Sequence, residues 1–298
     1  MKKFELLVMV DNTGIAEFVL LELQKVAEKV ICYTDFPSNK ETIVQRISEA
    51  DAVLVSWNTV LTAEILSQCP KLSYIGLCCT YFNEVSCNVD IPYCRERGID
   101  VSGVSHYGDY GVVEYVISEL IQMVKGLGRI SFYEEQRELR HMKLGIIGLG
   151  TVGTLIAEAA SFFGMDVSYY CRRKKDECLY PYMEKIELLR NSDVVLTSIP
   201  RNQIVMGEEE FSQMGSGKIF INVGVGPSFS QQAFEKWIAN GNYAILDAGS
   251  IHEESRSWYQ AQEKISLAPH VAGFTWNARK RLGKKVVENI KEYLQMKA

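Results

Sequence analysis

The chain has no apolar run long enough to span a membrane, which argues against a helical membrane protein. Lys2 and Lys3 precede apolar residues, but Glu5 and Asp11 interrupt any signal-peptide core, so a cytoplasmic protein is expected. No C-x-x-C pair occurs and there are only four histidines, so the spacing of a zinc site is missing. The eight cysteines, Cys32, Cys69, Cys78, Cys79, Cys87, Cys94, Cys171 and Cys178, are therefore expected as reduced thiols in or near cores. Positive charge is not in excess. The 32 Lys and Arg against 37 Asp and Glu leave a net charge of −5, which argues against general nucleic-acid binding and attraction to membrane surfaces. Internal repeats, low-complexity tracts and Pro/Gly/Ser linkers are also absent. What is there is globular: 298 residues, 47% apolar and 23% charged, enough for about two domains with their own cores.

Short apolar runs alternate with helical periodicity. Strands are predicted at residues 4–10, 30–33, 51–57, 72–77 and within 98–103. Residues 11–13 would cap a helix whose apolar face carries Ile15, Phe18, Val19, Leu23 and Val26, and shorter helices are predicted around 43–47 and 62–68. A long apolar helix follows at about 110–127. Its apolarity predicts packing between domains or across a subunit interface, hence a homodimer; burial inside one subunit is the alternative. Further strands are predicted at 144–147, 167–170, 193–198, 218–223, 243–246 and 265–267, with helices near 182–190, 208–214 and 228–239 between them. The last helix, 275–296, is expected to cross back to the first domain. The predicted class is α/β with two open parallel-sheet domains: residues 1–104, completed by 275–298, and residues 105–274.

The second domain is organised around Lys143-Leu-Gly-Ile-Ile-Gly-Leu-Gly-Thr-Val-Gly153. Leu144, Ile146 and Ile147 suit a buried parallel strand, and Val152, Ile156, Ala159, Ala160 and Phe163 fall on one side of a following helix. Between them Gly148, Gly150 and Gly153 form G-x-G-x-x-G in the strand–turn–helix setting that dinucleotide binding requires. Gly148 permits the tight turn, Gly150 lets the backbone approach a pyrophosphate, and Gly153 allows close helix–strand packing. The helix N-terminus offers unpaired N–H groups to the phosphates. The next strand, Val167-Ser-Tyr-Tyr-Cys-Arg-Arg173, ends without the acid that usually holds the adenosine ribose. Cys171 stands there instead, followed by Arg172, Arg173, Lys174 and Lys175. An acid would repel a 2′-phosphate whereas Arg can hold it in a fork, so NADP is expected before NAD. A merely solvated basic turn is the bland alternative.

Taken together, these features resemble the D-isomer-specific 2-hydroxyacid dehydrogenase family nearly end to end. The resemblance is carried by Pro70-Lys-Leu-Ser-Tyr-Ile-Gly-Leu-Cys-Cys-Thr-Tyr-Phe-Asn83, Arg97-Gly-Ile-Asp-Val101, Val113-Glu-Tyr115, the segment from Glu138 through Gly153, Ile221-Asn222, Leu246-Asp247 and Ala268-Pro-His-Val-Ala-Gly273. It implies a Rossmann dinucleotide-binding domain beside a flavodoxin-like substrate domain, with the cofactor in the cleft between them. It implies hydride transfer between a nicotinamide and a small 2-oxo or 2-hydroxy acid. Cofactor contacts are implied for Gly148, Gly150, Thr151, Val152 and Gly153, and for Cys171, Arg172 and Arg173. They are also implied for Ile199, Pro200, Val223, Gly224, Asp247, His270 and Gly273. Cys79, Thr80 and Tyr81 would lie along the substrate, with Tyr81 and Phe82 narrowing the pocket.

Three side chains normally serve such chemistry: a His that protonates the substrate oxygen, a carboxylate that holds its imidazole, and an Arg that binds the substrate carboxylate. The His maps to His270. The Arg does not map, because Asn222-Val-Gly-Val-Gly226 puts Val225 at its position. Carboxylate spacing after Asp247 lands on His252, which leaves Glu253 as the first candidate partner and Glu254 as the second. Arg201, Arg256, Arg279 and Arg281 are possible substitutes for the missing Arg. The expected protein is an NADP(H)-dependent reductase of a small carbonyl compound, altered or weakened toward ordinary 2-oxo acids. A cofactor-binding sensor or regulatory protein with little catalysis is the rival reading.

Overall fold

The computed structural model describes residues 3–15, 17–81, 83–201 and 203–297; Lys2, Phe82 and the side chain of Phe18 lie outside the described residues. The chain divides into two units, Met1–Tyr107 with Thr275–Ala298, and Gly108–Phe274.

The first unit holds β1 (Phe4–Met9), α1 (Leu20–Val26), β2 (Ala27–Cys32), α2 (Lys40–Ile47), β3 (Ala52–Val55), α3 (Ala63–Leu66), β4 (Tyr74–Thr80), α4 (Ile91–Arg97) and β5 (Asp100–Val104). Its five strands pair in parallel in the order β2-β1-β3-β4-β5, the flavodoxin-like order. The second unit holds α5 (Asp109–Lys125), β6 (Lys143–Ile147), α6 (Thr151–Phe162), β7 (Asp166–Tyr170), α7 (Lys185–Asn191), β8 (Val194–Thr197), α8 (Glu208–Met214), β9 (Ile219–Asn222), α9 (Gln231–Ala239), β10 (Tyr243–Leu246), α10 (Arg256–Ala261) and β11 (Ile265–Leu267). Its six parallel strands run β11-β10-β9-β8-β6-β7, so the order reverses between β6 and β8. That reversal places the end of β6 at the topological switch point where such sheets bind ligands. The final helix, α11 (Trp276–Met296), packs in the first unit.

Strand alternation explains the layers. On β6, Leu144 and Ile146 join a core with Ile156, Ala157 and Ala160 of α6 and Val116 and Leu120 of α5. Ile147 points the other way, into a core with Leu188, Phe211, Phe234 and Tyr259 of α7 to α10. Both faces are covered, so the strands read as continuous apolar runs. The buried residues of α5, Val116, Leu120 and Val124 among them, thus pack within its own unit.

Two expectations need correction. Asp11 does not cap a helix: it is fully buried and accepts from Ser56 N at 3.0 Å and Ser56 Oγ at 2.7 Å, tying the end of β1 to the end of β3. The helix begins only at Leu20, after a single 3-10 turn, and has no side-chain cap. Strand β4 also runs on through Thr80, so Cys79 is a strand residue. Neighbouring residues on a strand face opposite ways, so Cys78 and Cys79 point into different cores. Burial raises the Cys78 thiol well above its ordinary range.

Candidate active site

Each glycine of the turn after β6 has a separate structural reason. Gly148 has φ +96, and a Cβ there would lie 2.4 Å from Ser198 O. A Cβ on Gly153 would lie 2.4 Å from Gly148 O, so only glycine lets α6 start this close to the turn. Gly150 differs: a Cβ there would meet nothing within 4 Å. No protein group demands glycine at that point, which fits a backbone kept bare for a ligand. Thr154 N is the first amide of the helix to bond back, to Gly150 O at 2.9 Å, so the amides before it face an open N-terminus. Thr151 is exposed and Val152 packs against the core below.

This arrangement supports a pair of expected results. Gly153→Ala should destabilise the protein by about 1–3 kcal/mol through overpacking against backbone. Gly150→Ala should leave stability within about 0.5 kcal/mol while weakening dinucleotide binding. Thermal melts and fluorescence titration check both, and equal melting losses for the two variants would contradict the assignment.

At the end of β7 no acid is present. The Cys171 thiol donates to Arg173 O at 2.9 Å, and the Tyr169 hydroxyl accepts from Lys175 N at 3.0 Å, folding the basic turn back on its own strand. Arg172 and Arg173 are exposed and form no ion pair among the described residues.

The loops after β8, β9, β10 and β11 converge through buried polar groups. Asn222 Oδ1 accepts from Thr197 Oγ1 at 2.9 Å and Gly224 N at 3.2 Å, while its amide donates to Ser250 O at 2.8 Å and Gly226 O at 3.3 Å. Val223 is buried, and Gly224 is close enough to Ile199 that a Cβ would lie 2.9 Å from its carbonyl; Pro200, next in line, is half-buried. Gly226 N donates to Gly249 O at 2.7 Å. Asp247 Oδ1 accepts Ala272 N at 3.0 Å; burial pushes this carboxyl up, opposed by backbone N–H groups of Ala272, Gly249 and Ala248. Asp247 therefore fixes the loop that carries His270, whose ring is exposed. Gly273 closes that loop against Gly108, where a Cβ would lie 2.4 Å from Gly273 O. Tyr115 of α5 donates to Leu246 O at 3.0 Å, just before Asp247.

The structure does not bring the expected carboxylate to His270. Both Glu253 oxygens are held by Arg256, from Nε at 2.6 Å and Nη2 at 2.7 Å, because the two residues stand three apart on a continuous helical path. His252 Nε2 donates to Phe229 O at 3.2 Å, and its Nδ1 lies 3.8 Å from Glu254. None of the three candidates thus partners the His270 imidazole, which makes no hydrogen bond among the described residues. Val225 is 42% exposed on its loop.

Among the remaining substitutes, Arg279 donates to Gly14 O at 2.8 Å and Arg281 to Tyr107 O at 2.7 Å, both bracing the first unit. There too, Cys79 is buried in the core, so its side chain is not presented to a substrate; Thr80 is half-buried and Tyr81 is 39% exposed. Gly103 is glycine because a Cβ would lie 2.5 Å from Tyr81 Cβ.

No group of three or more metal-ligating side chains occurs among the described residues, nor any helix long and apolar enough to cross a membrane. Comparison with known proteins agrees with the geometry. The family described as D-isomer specific 2-hydroxyacid dehydrogenase, NAD binding domain, matches residues 121–272. The chain is similar to a hydroxypyruvate reductase of Blautia hydrogenotrophica, 24% identical over 300 residues, covering 92% of this chain and 91% of that protein. A hydroxyphenylpyruvate reductase of Plectranthus scutellarioides is 24% identical, covering 90% of each. Among solved structures, an acyclic imino acid reductase in complex with NADPH and D-Arg superposes with TM-score 0.84 at 24% identity, covering 98% of this chain and 97% of the other. The D-lactate dehydrogenase of Aquifex aeolicus, complexed with NAD and lactic acid, superposes with TM-score 0.80 at 23% identity, covering 98% and 96%. At these identities the superpositions speak for the fold, and the family match, over half of the chain, speaks for descent. The chain belongs to the D-isomer specific 2-hydroxyacid dehydrogenase family and is an oxidoreductase of its NAD(P)-dependent dehydrogenase and reductase type.

Proposed function

We propose that the protein is an NADPH-dependent reductase of a small 2-oxo acid or related carbonyl compound, and that it handles ordinary 2-oxo acids poorly. The observation that carries the reading is His270, exposed on a loop whose backbone is pinned by the buried Asp247. A bound nicotinamide supplies or accepts a hydride. His270 gives the proton to the substrate oxygen during reduction and takes it back during oxidation. Gly148, Gly150 and Gly153 with the open start of α6 hold the pyrophosphate. Arg172 and Arg173, which form no ion pair among the described residues, take the 2′-phosphate. In the structure the Glu253 carboxylate pairs with Arg256 rather than with the imidazole.

Cofactor choice gives the direct test. NADPH should bind more tightly than NADH, and Arg172→Ala should weaken NADPH alone. Fluorescence titration of both nucleotides measures this; equal or tighter NADH binding would sink the NADP assignment.

Val225 favours a second reading, a dinucleotide-binding regulatory protein with little turnover. The two part on one measurement. A reductase oxidises NADPH with some member of a carbonyl panel, and loses that activity in His270→Ala. A sensor binds NADPH and turns over none of the panel.

A further inference from the structure

The loops at the ends of β9, β10 and β11, residues 222–228, 247–256 and 268–274, contain a single Lys or Arg, which is Arg256. Its guanidinium is placed by two kinds of bond. Nε and Nη2 grip the two Glu253 oxygens at 2.6 and 2.7 Å, and Nη2 also donates to Ala248 O at 2.9 Å. Nη1, with two further N–H groups, makes no hydrogen bond among the described residues.

The anchor at Ala248 fixes where the guanidinium sits. Gly249, the next residue, accepts Gly226 N at 2.7 Å. A Cβ on Gly249 would lie 3.4 Å from a Val271 methyl. Arg256 is therefore tied to the residue before Gly249, which bonds Gly226 on one loop and lies against Val271, next to His270, on another. Apart from His270, which is assigned to the carbonyl oxygen, the other titratable groups of these loops do not compete with it for an anion. Asp247 is buried and holds Ala272 N, His252 faces Phe229 O, and Glu254 faces His252.

We propose that Arg256 binds the carboxylate of the substrate and that Glu253 competes with it for that place. This deepens the reading of the protein as a carbonyl reductase, and rests on it. A planar guanidinium with two spare N–H groups matches a carboxylate geometrically. Glu253 is the more exposed partner, its side chain 71% exposed against 30% for Arg256, and exposed pairs of this kind are weak. A substrate carboxylate takes the Nη1 edge or displaces Glu253 from the fork. The built-in competitor explains how an arginine can be present while simple 2-oxo acids remain poor substrates.

The test uses the intact protein loaded with NADP⁺ and oxalate as a carboxylate probe, measured by calorimetry, beside NADPH oxidation with pyruvate and with uncharged butane-2,3-dione. Arg256→Gln should weaken oxalate binding at least tenfold and raise KM for pyruvate, with NADPH affinity held and butanedione reduction affected far less than pyruvate reduction. Arg256→Lys should restore part of the oxalate affinity. Glu253→Gln should tighten oxalate severalfold and lower KM for pyruvate. Oxalate binding within twofold of wild type in Arg256→Gln, or no oxalate binding in wild type and Glu253→Gln alike, overturns the proposal. The two readings fail separately. If no carbonyl is reduced yet oxalate binding still follows Arg256, the reductase reading falls and the anion site stands. If butanedione is reduced through His270 while oxalate ignores Arg256, the reverse holds.

Discussion

Replacing His270 with alanine should lower carbonyl reduction by about 10²- to 10⁴-fold, the contribution typical of a positioned general acid. The loss should fall on kcat, because in the proposed reaction the imidazole delivers its proton as the carbonyl oxygen gains charge. NADPH affinity should hardly change, because the glycine turn and the open start of α6 are built from other residues. The fold should tolerate the change, since the ring is exposed and makes no hydrogen bond among the described residues. Single-turnover NADPH oxidation, with cofactor affinity measured in parallel, is the assay. A rate within threefold of wild type would mean that the proton comes from another group or from water.

The second large effect is a gain. Val225→Arg should raise activity toward pyruvate by roughly 100- to 1,000-fold, the amount that one preorganised charge-stabilising group supplies, about 2.7–4 kcal/mol. The loop is suited to receive the side chain. Asn222 holds Gly224 N and Gly226 O, Gly249 holds Gly226 N, and the valine between them is exposed. A guanidinium at this position would both bind the carboxylate and polarise the carbonyl. It would also relieve Arg256 of its proposed task, so the two changes should be non-additive: Arg256→Gln should matter less beside Val225→Arg than alone. Steady-state kinetics of the two single variants and the double variant measure the coupling. Wild-type efficiency toward pyruvate already at about 10⁴ M⁻¹s⁻¹ or above would show that Val225 imposes no deficit.

What could be read in advance follows from how local each signal is. Strands β8, β9 and β10 sit between covered faces, so four consecutive positions of each are largely apolar and the run announces the strand. The glycine turn is legible because three glycines fall within six positions of sequence. Short helices are harder. Helix α4 is only seven residues long, too few for a periodic stripe, although Asp90 accepting Tyr93 N and left-handed Gly98 mark both its ends. Helix α10 has six residues and no side-chain cap. Missing it hides the register that brings Glu253 onto Arg256, and so the fate of the expected imidazole partner. Asp11 misleads for a different reason. An Asp before a helical stripe has the look of a cap, and only the packing of β1 beside β3 reveals that Ser56 claims it.

The turn after β7 carries a consequence for engineering. Its course is set by the Tyr169 hydroxyl on the Lys175 main chain, and by the pairing of Tyr169 with the segment around Tyr182, none of which involves the side chains of Arg172 or Arg173. Shape and charge are thus specified by different atoms. If the proposed 2′-phosphate site is right, the basic side chains form a replaceable cassette, and nucleotide preference should be open to rewriting there without disturbing the hydrophobic interior on which folding depends.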